Sequence, residues 1–171
     1  YYYWGLESEK LPLTVDLNYV SIIVDNEFRE SSGFDLLLQK YNLERLGFYE
    51  DNVDVKFKSP PATLSEYSAR LNILRQDDQI DYAIPVFDAP FGYNRPMSVR
   101  YRIELKVKEP EDAILLEILL EKYNAQEIEE FMPLYYSLST RFSGFLHSLD
   151  ASNFLHEMEY VDYCSPKFRD L

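Results

Sequence analysis

Hydrophobic positions in the first half of the chain change from the two-residue period of a strand to the spacing of a helix. Val20, Ile22 and Val24 alternate, which predicts a strand. After Ser31 and Ser32, a set of apolar residues follows at the spacing i, i+3, i+4, i+7 of one helix face: Phe34, Leu37, Leu38 and Tyr41. Residues 48–49 and the alternating set 53, 55 and 57 predict two further strands. This part of the chain is therefore expected to be strand, helix, strand, strand.

A second helix and a last strand complete this pattern. Thr63 followed by Glu66 is a capping box, in which a hydroxyl and a carboxylate satisfy free amides at a helix start. The predicted inner face of that helix is Leu64, Tyr67, Leu71 and Leu74. Residues 80–87 form the last strand, and Pro85, which has no amide donor, is expected at a sheet edge or strand end.

The second half of the chain shows the same order of elements. Residues 103, 105 and 107 alternate as a strand, and a helix beginning near Pro110 has the inner face Leu116, Leu119, Leu120 and Tyr123. Residues 128–132 and 136–139 are predicted as the middle strands. Ser148 is the expected cap of a helix that contains Leu155, and residues 161–168 form the closing strand.

Three blocks of sequence recur in the same order in the two halves. Residues 80–87 and 161–168 share the pattern apolar-Asp-Tyr-x-x-Pro-x-Phe. Residues 36–42 recur as residues 118–124, and residues 72–74 recur as residues 153–155. The order and the nearly constant offset indicate a tandem duplication of a unit of roughly 70–75 residues, longer than the repeat of a solenoid.

Each copy reads β-α-β-β-α-β, the order of a ferredoxin-like plait with two helices on one face of an antiparallel sheet. We therefore predict an α+β protein made of tandem ferredoxin-like plaits. The predicted domains are an N-terminal β-hairpin extension at residues 1–18, a first repeat at 19–88, a linker at 89–100 and a second repeat at 101–171. The aromatic opening, residues 1–4, is expected to be an edge strand packed on the body, with a binding strand as the alternative.

Composition changes the functional expectations more than the fold. The formal net charge is −13, and Lys and Arg do not cluster, so the basic footprint of a nucleic-acid-binding protein is missing. An acidic surface favours a basic partner surface, although it also serves solubility. No stretch approaches the roughly 20 apolar residues of a membrane-spanning helix. The single cysteine, Cys164, is expected to be a buried structural thiol.

The chain offers no arrangement that predicts catalysis, a cofactor or a metal site. His147 and His156 are the only histidines, and no Cys or acid stands at a metal-ligand spacing from them. No serine lies in a nucleophile-elbow pattern, and the five glycines form no phosphate loop. The acid pairs at 77–78 and 129–130 are expected to be solvated surface. Asp81 and Asp162, which recur in the repeat, are expected to bond to a nearby turn.

The closing block of each copy resembles the end of the propeptide of subtilisin-like serine proteases, and in particular the N-terminal regions of such proteases from Bacteroidetes. Residues 1–5 match an aromatic opening with a glycine turn. Asn72 with residues 80–85, and Asn153 with residues 161–166, match a helix asparagine followed by a strand that contains Tyr and Pro. The resemblance covers nearly the whole chain in order.

The resemblance implies a non-catalytic prodomain that templates folding of the protease and leaves its last residues in the active-site cleft. The protein-binding residues that it implies lie on the final strand and tail: Tyr163, Ser165, Pro166, Phe168 and Leu171. The family commonly has Glu two positions after the Tyr, where it caps helices on the protease. This chain has Ile84 and Ser165 there, so docking through that carboxylate is lost in both copies.

We therefore expect an exported protein, periplasmic or at the cell surface, whose partner is a subtilisin-like catalytic domain in cis. It would act as an intramolecular chaperone and autoinhibitor, with no cofactor and no enzymatic activity of its own. The alternative is a stand-alone tandem ferredoxin-like domain that binds a protein or a ligand. A small enzyme on a ferredoxin-like plait is the third class, and the lack of an acid–base set disfavours it.

Overall fold

The computed structural model of the protein describes residues 1–4, 9–49, 52–88, 95–123, 126–139 and 147–171. The class is α+β: the described residues form five helices, and their strands pair mostly antiparallel. The chain divides into two compact units. The first-copy unit contains Thr14–Ser98 and Arg169–Leu171, and the second-copy unit contains Tyr1–Leu13 and Val99–Phe168.

The elements follow the predicted order, with one additional short helix. In chain order they are β1 (Tyr2–Trp4), β2 (Lys10–Pro12), β3 (Val15–Ile23), α1 (Asn26–Arg29), α2 (Ser32–Lys40), β4 (Leu43–Tyr49), β5 (Asn52–Phe57), α3 (Leu64–Leu74), β6 (Tyr82–Phe87), β7 (Met97–Val107), α4 (Asp112–Lys122), β8 (Gln126–Met132), β9 (Tyr135–Ser139), α5 (Ser148–His156) and β10 (Val161–Asp170). The additional helix α1 is capped by Asp25, whose carboxylate accepts hydrogen bonds from the amides of Glu27 and Phe28.

In the first-copy unit the strand order is β4-β5-β3-β6, and all three pairings are antiparallel. Helices α2 and α3 bury their inner faces against alternate residues of these strands. The core includes Val20, Ile22, Phe34, Val53, Val55, Tyr67, Leu71 and Leu74. Tyr67 also donates a hydrogen bond from its buried hydroxyl to the carbonyl of Tyr19, at 2.8 Å. The residues that alternate along the strands and those on the inner faces of the two helices thus form one apolar layer.

The start of α3 confirms the predicted capping box and corrects the inner face of the helix. The Thr63 hydroxyl accepts a hydrogen bond from the amide of Glu66, and the Glu66 carboxylate accepts one from the amide of Ala62. Tyr67, Leu71 and Leu74 are buried as expected, but Leu64 is exposed. Leu64 is the first residue of the helix, before the turn that packs against the sheet, so the prediction for it was wrong.

In the second-copy unit β7 pairs with β9, β9 pairs with β8, and β10 pairs with β7. The core includes Ile103, Leu105, Val107, Leu116, Leu120, Leu138, Ala151, Leu155, Val161 and Cys164. The predicted Ser148 cap is wrong. His147 is the N-cap of α5, and its ring Nδ1 accepts the amide hydrogen of Asp150, whereas the Ser148 hydroxyl donates to the carbonyl of Arg100.

Tyr2 and Tyr3 pack on the second-copy unit as predicted, although their strand belongs to a separate two-stranded sheet with β2. Strands β1 and β2 form an antiparallel hairpin; residues 5–8 of its predicted turn lie outside the described residues. The Tyr3 ring meets the edge of Phe168, with centroids 5.1 Å apart, and the side-chain amide of Asn153 donates to the carbonyl of Tyr2 at 2.9 Å. The hairpin is therefore held by both α5 and β10.

Two strands begin inside segments that were predicted to be the linker and the N-terminal extension. Strand β7 begins at Met97, inside the predicted linker 89–100, because Met97 and Ser98 pair with Phe87 and Val86. Residues 89–94 of that linker lie outside the described part of the chain, as does Asn124 of the repeated block. Strand β3 begins at Val15, inside the predicted extension 1–18. In both extra segments, apolar and polar residues alternate as they do in a strand. The ends of an element are assigned less exactly from sequence than its middle.

Candidate functional site

Strand β10 contains four of the five predicted binding residues, and most of their surface is packed within the protein. Ser165 is only 9% exposed and Pro166 is buried, while Tyr163 and Phe168 are half-buried. The Ser165 hydroxyl donates to the carbonyl of Pro166 at 3.3 Å. Burial raises the pKa of the Tyr163 phenol above its ordinary value. The structure thus brings these residues together on one strand, with limited side-chain surface open to a partner.

Two ion pairs tie the charged residues of β10 to β7. Asp162 accepts from the Lys106 ammonium at 2.7 Å, and Lys167 lies 2.5 Å from the carboxylate of Glu104. Asp162 was expected to bond to a nearby turn, and that prediction was wrong, since its partner is on the neighbouring strand. Cross-strand pairs of opposite charge add to the register of two paired strands.

The C-terminal tail, Arg169–Leu171, is bound within the first-copy unit. The Arg169 guanidinium forms an ion pair with the buried carboxylate of Asp54 on β5, and it lies over the Tyr49 ring at 5.5 Å. The amide of Leu171, the fifth predicted site residue, donates to the carbonyl of Pro96 at 2.9 Å. Sequence reasoning missed Asp54 and Arg169, because no spacing relates two residues so far apart in the chain.

The two positions where the resembled family has Glu are both buried. Ile84 on β6 is 1% exposed, and Ser165 on β10 is 9% exposed. A carboxylate at either position would lie away from water without a built partner, which is costly. Restoring the acid at position 165 would therefore disturb β10 before it could reach a helix on another protein.

A polar cluster in the first-copy unit was not predicted. The Asp77 carboxylate accepts hydrogen bonds from the Lys40 ammonium at 2.7 Å and from the Tyr41 hydroxyl at 2.6 Å. Its side chain is 7% exposed, so the expectation of a solvated acid pair at 77–78 was wrong for Asp77. The hydrogen bonds from Lys40 and Tyr41 lower the pKa of Asp77 to about 2. These residues line an open depression of about 400 Å³ beside Gln76 and Gln79.

Each of the two histidines accepts a backbone hydrogen bond, and the cysteine is buried. The ring Nδ1 of His156 accepts the amide hydrogen of Cys164 at 3.2 Å, and burial lowers the pKa of His156. Cys164 is buried as predicted, and burial raises the pKa of its thiol, so the reactive thiolate is disfavoured. Across the described ranges, no three or more His, Cys, Asp or Glu side chains are grouped as metal ligands would be.

None of the helices in the described part of the chain is long and apolar enough to span a membrane. Comparison of the chain with models of known protein families and with curated proteins finds no match.

Proposed function

We propose that this chain is the non-catalytic prodomain of a secreted subtilisin-like serine protease, in which it acts as an intramolecular chaperone and autoinhibitor. In this proposal each unit is a ferredoxin-like plait, and the partner is a catalytic domain encoded in cis. The protein would be exported to the periplasm or the cell surface, where that protease matures.

The strand order of the units supports the plait assignment. In the first-copy unit the order β4-β5-β3-β6 places the first and third strands of the copy in the middle, between its second and fourth strands. The pairings β10-β7, β7-β9 and β9-β8 give the second copy the same order. A split β-α-β unit produces this interleaving, because each helix crosses over the strand that later fills the gap.

The observation that carries the binding role is the position of β10. This strand contains the repeated Tyr-x-x-Pro-x-Phe pattern and ends at Asp170, directly before Leu171, whose amide donates to the carbonyl of Pro96. A terminal strand at one end of the strand order is suited to recognition by strand addition, in which backbone hydrogen bonds supply affinity. The proposal assigns this strand and the tail that follows it to the protease cleft.

The docked tail gives this proposal a specific energetic requirement. To enter a cleft, Arg169 must leave Asp54, and Asp54 would then be a buried carboxylate without its cation, which is unfavourable. Asp54 Oδ1 already has no hydrogen-bond partner among the described residues, so the pair is incompletely satisfied. We therefore expect the Arg169–Asp54 contact to compete with insertion of the tail.

A second candidate function is a stand-alone protein- or ligand-binding domain with no protease partner. The burial of Ile84 and Ser165 favours it, because neither position offers the exposed carboxylate through which the resembled propeptides dock. A tail bound to its own unit through Arg169 also suits a domain that has no cleft to occupy.

The gene sequence beyond the codon for Leu171 separates the two candidates most directly. The prodomain proposal expects a domain with the Asp, His and Ser of a subtilisin-like protease in the same reading frame. Purified chain should hydrolyse no peptide substrate, and it should bind that downstream domain when both are mixed. An in-frame stop codon shortly after Leu171 would overturn the prodomain proposal in favour of the stand-alone domain.

A further inference from the structure

Helix α4 of the second-copy unit has apolar residues on its outer face as well as on its inner face. Leu116 and Leu120 point into the core, whereas Ile114, Leu115 and Ile118 are 63%, 48% and 61% exposed. Single exposed apolar residues are ordinary, but three residues at i, i+1 and i+4 form one continuous patch. A helix that is apolar all round is normally covered on both sides.

The duplicated helix in the first-copy unit provides an internal comparison. By the repeated block, Ser32 and Gly33 of α2 correspond to Ile114 and Leu115, and Leu36 corresponds to Ile118. Phe34 and Leu38 of α2 are buried at the positions of Leu116 and Leu120, and Leu36 is 64% exposed like Ile118, so the outer faces differ at Ile114 and Leu115. The fold therefore does not require apolar residues at positions 114 and 115, and a separate role of that face accounts for them.

Charges beside the apolar row indicate the chemistry of its partner. Glu117 and Glu121 are exposed and lie three residues after Ile114 and Ile118, so they form an acidic row along one side of the apolar row. The helix contains one cation, Lys122, and its ammonium lies 5.3 Å from the centre of the Tyr123 ring. Glu117 and Glu121 repel each other at i, i+4, and a cation placed against them would remove that repulsion.

We infer that the outer face of α4 is a docking site for a basic amphipathic helix of a partner protein. The apolar row of such a helix would cover Ile114, Leu115 and Ile118, and its Lys or Arg side chains would pair with Glu117 and Glu121. A second copy of this chain fits less well, because it would set acidic rows against each other and bring together two molecules of charge −13. This site is distinct from β10 and does not depend on the protease proposal.

The test uses a synthetic peptide of about 18 residues, with Leu on one helical face and Lys beside it, long enough to form several helical turns. Binding to the full chain is measured by fluorescence anisotropy. The control peptide has the same composition with its Leu residues spread around the helix. The wild-type chain is expected to bind the amphipathic peptide at least about tenfold more tightly than the control peptide, because only the former buries apolar surface.

Matched variants of the protein locate the binding site. Ile114→Gln with Ile118→Gln should weaken binding at least about tenfold, since it removes the apolar surface that the peptide covers. Leu36→Gln, at the corresponding position of α2, should change binding less than about twofold. Glu117→Gln with Glu121→Gln should weaken binding at low salt and have little effect at about 0.5 M NaCl, where charges are screened. All these positions are exposed, so circular dichroism should show an unchanged fold.

Three results would overturn the inference. The first is equal affinity of the peptide for the wild-type chain and for the Ile114→Gln, Ile118→Gln variant. The second is equal affinity of the wild-type chain for the amphipathic and the control peptide, which would reduce the interaction to net charge. The third is dimerisation in sedimentation experiments that this variant abolishes, which would identify a second copy as the occupant.

Discussion

The environment of Asp77 is set by two side chains that are distant from it in the sequence. Its carboxylate joins Lys40 at the end of α2 and Tyr41 just after it to the turn that follows α3. The amide of Gln79 adds a third hydrogen bond, at 3.0 Å. In the second copy the residues aligned with Lys40 and Tyr41 are Lys122 and Tyr123, but Met158 replaces Asp77. This cluster therefore belongs to the first copy alone.

Replacing Asp77 with Asn should destabilise the protein at neutral pH, by about 1 kcal/mol, the scale of one hydrogen bond between protein groups. The pKa of Asp77 is about 2 in the folded protein, against an ordinary value of 3.8. As pH falls, the unfolded chain takes up this proton first, so the stabilisation is complete above about pH 4 and is lost as pH approaches 2. Urea unfolding at several pH values should show the wild-type advantage over Asp77→Asn shrinking across that range; an advantage independent of pH would contradict the ion pair.

The sequence predicted the helices and strands better than it predicted individual side-chain contacts. The spacing of apolar residues located α2, α3, α4 and α5, because a helix that covers a sheet must repeat its buried positions every three to four residues. The ends of the helices were less predictable from the sequence. Leu64 is exposed although it fits the spacing, and the cap of α5 is His147 rather than Ser148, since both residues stand at a plausible start. Which side chain accepts the hydrogen bonds of the free amides at a helix start depends on tertiary placement, which the local sequence does not contain.

Leu74 on α3 and Leu155 on α5 occupy corresponding positions of the two copies, and both are buried in their own core. Leu74→Ala and Leu155→Ala should each cost about 2–5 kcal/mol, from lost apolar burial and the cavity left behind. Ile73→Ala, on the exposed side of α3, is the control and should cost less than about 0.5 kcal/mol. Urea unfolding measures all three. A cost below about 1 kcal/mol at Leu155 would mean that the inner face of α5 is assigned wrongly.

For the whole molecule, the sequence indicated two copies of one unit, and the observed elements follow that order in both. It also predicted that four of the five candidate binding residues share one strand, and β10 contains those four. It could not predict how the tail is held. The ion pair of Arg169 with Asp54 and the hydrogen bond from Leu171 to Pro96 join residues that are distant in the chain, and they exist only once the strands have assembled.

The central claim is that the tail inhibits a subtilisin-like catalytic domain, and two variants that break the same ion pair test it most directly. Peptide hydrolysis by the proposed catalytic domain is measured with increasing amounts of purified chain. Removing residues 169–171 deletes the segment that is proposed to inhibit, whereas Asp54→Asn keeps that segment and removes its ion pair with Asp54. Both variants should retain Phe168 against Tyr3 and hence the packing of the hairpin.

The account predicts that the wild-type chain slows hydrolysis, that the chain lacking residues 169–171 inhibits at least about tenfold more weakly, and that Asp54→Asn inhibits more tightly, because Arg169 no longer has to leave a buried partner. Equal inhibition by all three chains would contradict the role of the tail. If none of the three chains inhibits hydrolysis, the prodomain function itself is contradicted.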